Sequence, residues 1–483
     1  MFEKYWLEIV GLIVPVMHAA GLLHAAHAVM RVRSAEGTIG WVMALITFPY
    51  LAVPLYWILG RSKFRGYILA RRARDSPLAD TFTEVRRSLA ACELHDDPPH
   101  PLLRPAARLA GLPVTSSNEL ELLINGKAAF ERMFQDIAAA EDYLLVLFFI
   151  VKGDEVGTTF KHALIERAAA GVRVFFLYDE IGSHQLSAEY FEDLRNAGVQ
   201  AVPFATTLGK GNRFQINFRN HRKIVVIDGK TALSGGMNIG DEYTGVVTDM
   251  GRWRDTMVRV AGPAAQCLQL VFVEDWNWAT GRPPENLTWQ PPDLARCATG
   301  AGQRVLVIPT GPADPLESCH LFFIEAIGMA RRRIWITSPY FVPDRAVVSA
   351  LQAAAVRGVD VRILLPSRPD HVLVYLSSFS FLPEMDVAGV NVFRYKDGFL
   401  HQKVMLIDDE LAAIGTANLD NRSFRLNFEV ITLIQDLHFA REVEAMLKAD
   451  FEKSKRVTAK EYIKRPLWFR VAVRFARLLT PIQ

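Results

Sequence analysis

The sequence is short of cysteine: four in 483 residues, Cys92, Cys267, Cys297 and Cys319, with no Cys-x-x-Cys pair. That excludes a zinc ribbon and reads as reduced thiols facing the cytosol, with neither a disulfide framework nor a metal site. An excess of one charge is missing too. Fifty-five Lys and Arg against 52 Asp and Glu leave a formal net charge of +3, and no long basic, aromatic-lined stretch points to a nucleic-acid partner. Asp, Glu, Lys and Arg are absent altogether from residues 9–30 and again from residues 37–60. At about 20 residues per span each run is long enough to cross a bilayer core, and together they predict a transmembrane helical hairpin.

Half of the residues are hydrophobic and the mean hydropathy is +0.13, both in keeping with membrane association, while the length predicts two or three domains. The turn between the apolar runs holds Arg31 and Arg33, and the exit from the second holds Arg61, Lys63, Arg65, Arg71, Arg72 and Arg74. The heavier basic flank places everything after residue 60 in the cytoplasm. For the first run the alternative is a cleaved signal peptide, with His18-Ala19-Ala20 as the small-residue site. His18, His24 and His27 inside it read either as a metal or proton site or as neutral imidazoles satisfied by hydrogen bonds.

What the chain has in abundance is one pattern, written twice. His221, Lys223, Asp228, Gly235 and Asn238 recur at the same spacing as His401, Lys403, Asp408, Gly415 and Asn418, with an apolar run between each Lys and Asp. One His-x-Lys arises by chance, whereas five matched positions repeated at fixed offsets do not. Gly358–Leu365 echoes Gly171–Leu177, and Gly389–Tyr395 echoes Gly198–Phe204, so the duplication extends well beyond the motif.

With these two His-x-Lys-x4-Asp motifs, and with Gly235–Tyr243, Trp253–Thr256, Ser338–Asp344 and Asn418–Phe424 beside them, the chain resembles the phospholipase D superfamily and, within it, the bacterial cardiolipin synthases. The resemblance covers nearly the whole length. It departs at Gly236 and Thr416, where many superfamily members carry Ser, which puts hydroxyl help in doubt for the first copy. It implies an α/β fold of two tandem phospholipase D-like αβα repeats packed face to face. Further implications are a bacterial inner-membrane, multi-pass enzyme and the transfer of a phosphatidyl group from one phosphatidylglycerol to another, giving cardiolipin and glycerol. A phospholipase D-type hydrolase, or a synthase of another phosphatidyl alcohol, is the alternative reading, and an inactive membrane scaffold a distant one.

In chain order the expected segments are a hairpin at 1–65, a polar, Pro-rich connector at 66–113, the first repeat at 114–280, a linker at 281–302, the second repeat at 303–460 and a basic amphipathic tail at 461–483. Strands alternating with helices predict a largely parallel core sheet in each repeat. An insertion at 206–220, with Lys210, Arg213 and Arg219, reads either as a substrate-facing loop or as a solvated surface loop. In the tail Arg470, Arg474 and Arg477 share one helical face among Trp468, Phe469, Val473 and Phe475. That pattern suits a helix lying on an anionic membrane, and equally one packed on the protein body.

Residues two apart on a strand share a face, so His221 with Lys223 and His401 with Lys403 can meet in one pocket, whereas Asp228 and Asp408 fall on the opposite face and order the strand end. Two imidazoles and two ammonium groups suit phosphoryl transfer on a diester: one His attacks phosphorus and the other protonates the departing alcohol. The resemblance favours His221 as the nucleophile. Lys223 and Lys403, with Asn238 and Asn418, hold the equatorial oxygens. No cofactor and no metal are expected, because these groups already neutralise a phosphate and no ligand spacing accompanies them. A nucleophilic imidazole needs a carboxylate on its other nitrogen. Glu429 is the expected support in the second copy and Asp255 in the first, with Asp249, at the same offset from its His as Glu429, the alternative to Asp255.

Overall fold

A computed structural model describes residues 2–32, 35–60, 63–64, 67, 77–93, 100–207, 216–245, 249–291, 297, 301–480 and 483. Arg33, Arg61, Arg65, Arg71, Arg72, Arg74, Lys210, Arg213 and part of the 281–302 linker lie outside the described residues. The chain divides into two compact units, one of residues 1–69 with 206–219 and one of residues 70–205 with 220–483.

The first unit is helical. Helix α1 (Phe2–Arg31) contains Gly11–Arg31, long and apolar enough to cross a membrane. The second apolar run is not one helix but two, α2 (Ala35–Thr47) and α3 (Pro49–Leu59). Pro49 has no amide to donate, so the ladder breaks at Phe48. His18 and His24 bond carbonyls one turn back, Val14 at 2.9 Å and Ala20 at 2.7 Å, and His27 bonds Tyr56 Oη at 2.8 Å. His24 also accepts from Trp57 Nε1 at 2.7 Å. His18 is thus satisfied within α1, while His24 and His27 join α1 to α3 by hydrogen bonds. The insertion at 206–220 belongs to this unit as far as Arg219, and Phe218 stacks on Phe64 at 5.3 Å.

The second unit holds both repeats. In the first, strands β1 (Thr115–Ile124), β2 (Tyr143–Phe148), β3 (Arg173–Asp179), β4 (Gln200–Phe204), β5 (Ile224–Ile227), β6 (Thr231–Gly235) and β7 (Thr256–Ala261) form a sheet ordered β1-β7-β6-β5-β2-β3-β4. The second has β8 (Gln303–Thr310), β9 (Arg333–Thr337), β10 (Asp360–Pro366), β11 (Asn391–Tyr395), β12 (Val404–Ile407), β13 (Leu411–Gly415), β14 (Asn427–Gln435) and β15 (Ser454–Val457), ordered β8-β14-β13-β12-β9-β10-β11-β15. Antiparallel pairing of β1 with β8, at Thr115 with Val305 and Asn118 with Gln303, joins the two into one sheet.

The expected largely parallel sheet is a mixed one. In this sheet β2, β3 and β4, and likewise β9, β10 and β11, pair in parallel, through helical crossovers such as α4 (Glu155–Ala169). Each His-x-Lys strand then turns straight back on its successor, and the hairpin makes the rest antiparallel. The first of these turns uses left-handed backbone at Asp228 (φ 52°) and Gly229 (φ 65°). Every residue of β2 is buried, as befits a strand covered on both faces.

The segment read as a connector carries helices Pro77–Leu89 and Leu103–Ala110 and buries Leu89, Leu102 and Leu103, because its apolar residues recur at helical spacing. One expectation fails in this unit. The cysteines are not all reduced thiols: Cys92 is joined to Cys297 by a disulfide, while Cys267 and Cys319 are free and buried. The pair closes across 205 positions of sequence, where no spacing rule reveals it.

Candidate active site

The two motifs meet where the repeats exchange backbone bonds. His221 N donates to Phe428 O at 2.9 Å, and His401 N donates to Arg254 O at 2.8 Å. Each bond ends on the residue just before a buried carboxylate, and that fixes which carboxylate each imidazole meets. His221 Nδ1 lies 2.9 Å from Glu429 Oε2, and His401 Nδ1 lies 2.7 Å from Asp255 Oδ2. The pairing is crossed. Asp255, expected to support His221, serves His401; Glu429, expected to support His401, serves His221; and Asp249 offers its carbonyl to Arg368 instead. Sequence nearness suggested pairing within a repeat, but each ring's Nδ1 faces across the pseudo-twofold axis.

Both carboxylates are braced. Glu429 Oε1 accepts from Ser423 Oγ at 2.8 Å and Asn427 Nδ2 at 3.2 Å, and Asp255 Oδ1 accepts from Thr256 N at 2.7 Å. Gly236 explains its own departure from Ser: a Cβ there would sit 2.2 Å from Asp255 Oδ1, so only glycine leaves room for the carboxylate. At the matching second-repeat position Thr416 instead bonds Val430 N at 2.9 Å.

Burial dominates the electrostatics. It pushes His221 and His401 down to about 4, the second helped by the Lys403 ammonium, so both rings are neutral at neutral pH. Burial works against Asp255 and Glu429 too, yet the bonded histidines and nearby lysines hold both below the ordinary carboxylate range. A carboxylate accepting at Nδ1 fixes that proton and leaves Nε2 as the lone-pair nitrogen. His221 Nε2 has no hydrogen-bond partner among the described residues, whereas Lys403 Nζ lies against the His401 ring, 3.0 Å from Nδ1 and 3.1 Å from Nε2. Burial lowers Lys403 to about 8 against the pull of Asp255, and lowers Lys223 well below its ordinary value.

Asn238 Oδ1 accepts from Ile150 N at 3.1 Å and its amide faces Tyr243 Oη at 3.3 Å; Asn418 Oδ1 is buried with no hydrogen-bond partner among the described residues. Asp228 and Asp408 lie at the other end of their strands. Asp228 accepts from the amides of Glu141, Asp142 and Tyr143 at 2.9–3.0 Å, and Asp408 from those of Arg331, Arg332 and Arg333 at 2.7–3.2 Å. Trp253 and Tyr243, both within segments that carry the resemblance, wall His401 at 5.2 and 5.8 Å, and Phe149, which carried no signal of its own in the sequence, walls His221 at 5.0 Å. The middle residues of the motifs are anchored in matching ways, Arg222 to Asp275 at 2.8 Å and Gln402 to Asp450 at 2.8 Å. Their signal was weak: Asp275 lies in the helix Pro263–Thr280 that follows β7, and Asp450 in the helix Leu437–Glu452 that follows β14.

The family described as cardiolipin synthase, PLD-like domain, matches residues 133–276 and 323–451, and the family described as phospholipase D-nuclease N-terminal matches residues 22–61. The chain is 47% identical over 479 residues to cardiolipin synthase A of Pseudomonas putida strain W619, covering 98% of each chain. It is 48% identical over 478 residues to cardiolipin synthase A of Pseudomonas aeruginosa strain LESB58, covering 98% of this chain and 96% of that one. Among solved structures the fold resembles a phosphatidylserine synthase of Haemophilus influenzae, with a TM-score of 0.61 at 17% identity, covering 79% of this chain and all of that one.

Proposed function

The chain belongs to the cardiolipin synthase family of phospholipase D-like proteins, and from that premise we propose how its crossed histidine pairs divide the work. The enzyme is a phosphatidyltransferase and is membrane-associated. Its reaction takes the phosphatidyl group from one phosphatidylglycerol to another, releasing glycerol and making cardiolipin. The observation that carries the division of roles is the position of the lysine: Lys403 Nζ lies 3.0 and 3.1 Å from the two ring nitrogens of His401, whereas the only hydrogen-bond partner of the His221 ring among the described residues is Glu429.

His221 is the nucleophile. Its Nε2 lone pair attacks the donor's phosphorus, an N–P bond forms, and the P–O bond to glycerol breaks. Lys403 and His401 together hold one proton between about pH 4 and 8, the values to which burial brings them. The proton rests on Lys403 in the free enzyme. As the phosphate's charge enters, it passes to His401 Nε2, where ionised Asp255 stabilises the imidazolium, and it leaves on the glycerol oxygen. In the second half His401 takes the proton from the acceptor's hydroxyl, that oxygen attacks phosphorus, the N–P bond breaks, and His221 is restored. Lys223, Asn238 and Asn418 hold the equatorial oxygens through both steps; Asp228 and Asp408 tie strand ends. Brief exposure to phosphate-labelled phosphatidylglycerol and an alkaline quench should leave label on His221, and label on His401 instead would reverse the roles.

We also read the first unit as a two-pass hairpin, α1 followed by α2 with α3, within the segment organisation set out from the sequence. The basic flank after residue 60, of which Lys63 is described, favours repeats facing the cytoplasm. The Cys92–Cys297 disulfide favours the opposite face, since disulfides persist in oxidising compartments. A reporter fused after Gln483 separates the two: activity in the cytosol upholds the first orientation, and activity outside it assigns the body to the oxidising side.

A further inference from the structure

Helix α6 (Leu467–Leu478) has three faces rather than two. Phe469, Val473 and Ala476 are buried, and this face packs on helix α5 (Val372–Phe379), Phe469 meeting Phe379 edge-on at 5.2 Å. Arg477 pins the far end, donating to Ser380 O at 2.9 Å and to Glu384 at 3.0 Å. The helix is therefore fixed to the second repeat. A surface helix held this way ordinarily turns polar residues outward. Here Leu467, Trp468, Val471, Phe475 and Leu478 face outward instead, with Trp468 70%, Phe475 67% and Leu478 73% exposed. Val372 and Leu373 on α5 are exposed as well.

The charge beside this apolar stripe has one sign. Lys464, Arg465, Arg470 and Arg474 are exposed, and residues 464–480 contain no Asp or Glu. A second copy of so basic a face would repel the first, whereas a leaflet of anionic headgroups complements it, and tryptophan suits the headgroup boundary. The surface also leads to the catalytic centre. Helix α5 follows directly on Asp370, whose carboxylate accepts from Tyr340 Oη at 2.5 Å and adds to the field at His401 and Lys403.

We infer that the outer face of α6, with Val372 and Leu373 of α5, is a docking surface for an anionic bilayer that sets the second-repeat side of the catalytic centre against the lipid. It rests on the reading that the substrates are bilayer lipids, and it adds a contact separate from the helical hairpin. Trp468, Phe475 and Leu478 enter the acyl boundary while Arg470 and Arg474 stay among the headgroups.

The test uses the full chain in vesicles of phosphatidylglycerol and phosphatidylcholine. Nitroxides are placed singly at Phe475→Cys, Leu478→Cys and Val372→Cys, with Leu437→Cys, also exposed, as reference; the native cysteines are paired or buried. Collisions with oxygen should exceed those with a water-soluble nickel chelate at the first three sites and not at the reference. Aqueous behaviour at all three, or spin–spin broadening that marks a second copy on the face, would overturn the proposal. The double variant Phe475→Glu/Leu478→Glu, whose side chains support no core, should raise the apparent KM for vesicle phosphatidylglycerol about tenfold; an unchanged KM would also overturn it. The labels report lipid contact whatever the product, so failure of the synthase reading shows separately, as phosphatidate in place of cardiolipin.

Discussion

Glu429→Gln is the change that best separates crossed from uncrossed pairing, because Glu429 belongs to the second repeat while the histidine it touches belongs to the first. Glu429 is fully buried and accepts from His221, Ser423 and Asn427. A glutamine of the same shape turns one acceptor oxygen into a donor and removes the charge. Losing a charge-assisted bond costs about 1.5–3 kcal/mol, which is about 10- to 150-fold in rate. The amide also no longer holds the Nδ1 proton, so the ring can place its proton on Nε2 and lose its lone pair toward phosphorus. The comparable Asp→Asn change in a serine-protease triad costs about 10⁴ in kcat, and the expectation here is about 10³- to 10⁴-fold. Glu429 is also the chief group sustaining the charge of Lys223 against burial, which adds to the loss. Phosphate-labelled phosphatidylglycerol, rapid alkaline quench and mass spectrometry of the His221 peptide measure it. Turnover and covalent label at His221 should fall together. A variant that labels His221 at the normal rate and fails only in transfer to the acceptor would refute the crossed pairing.

His221→Ala and His401→Ala should each abolish steady-state synthesis, and the double variant should be no worse than either, because the two groups act as one unit; substantial activity in one single variant would contradict this. Gly236→Ala should cut activity at least about tenfold by driving its methyl against the Asp255 carboxylate, and an unchanged rate would show that the carboxylate has another resting place. kcat/KM should stay level between about pH 4 and 8, falling below as His221 and His401 protonate and above as Lys403 loses its proton. The same histidines, neutral in the fold, leave the unfolded chain binding more protons from pH 6.5 down to about 4. Stability is therefore full above that window and declines through it, by about 3 kcal/mol per histidine; a urea titration showing stability unchanged from pH 7 to 4 would oppose this.

The doubled motif made the site legible, since chemistry that needs two imidazoles and two ammonium groups leaves the same spacing twice. The tandem α/β repeats followed from Gly171–Leu177, Gly358–Leu365 and their neighbours. Three things were hidden, each for a physical reason. Strands β1 and β8, which join the repeats, were missed because Thr115–Ile124 holds polar residues that the seam satisfies only through long-range bonds, such as Asn118 Nδ2 to Gln303 O at 3.1 Å. The exchange of Asp255 and Glu429 depends on how two sheets face one another, which offsets along one chain do not encode. The Cys92–Cys297 pair closes across the whole first repeat, between two segments that read as connectors.

Product balance tests the central claim most directly. Purified full-length enzyme in vesicles, given phosphatidylglycerol labelled in both the headgroup glycerol and the phosphate, should release labelled glycerol and form labelled cardiolipin in near-equal amounts, with little phosphatidate. Phosphatidate as the main phosphate-labelled product would mean that water, not a second lipid, resolves the phosphatidyl-histidine, and the hydrolase reading would replace the synthase.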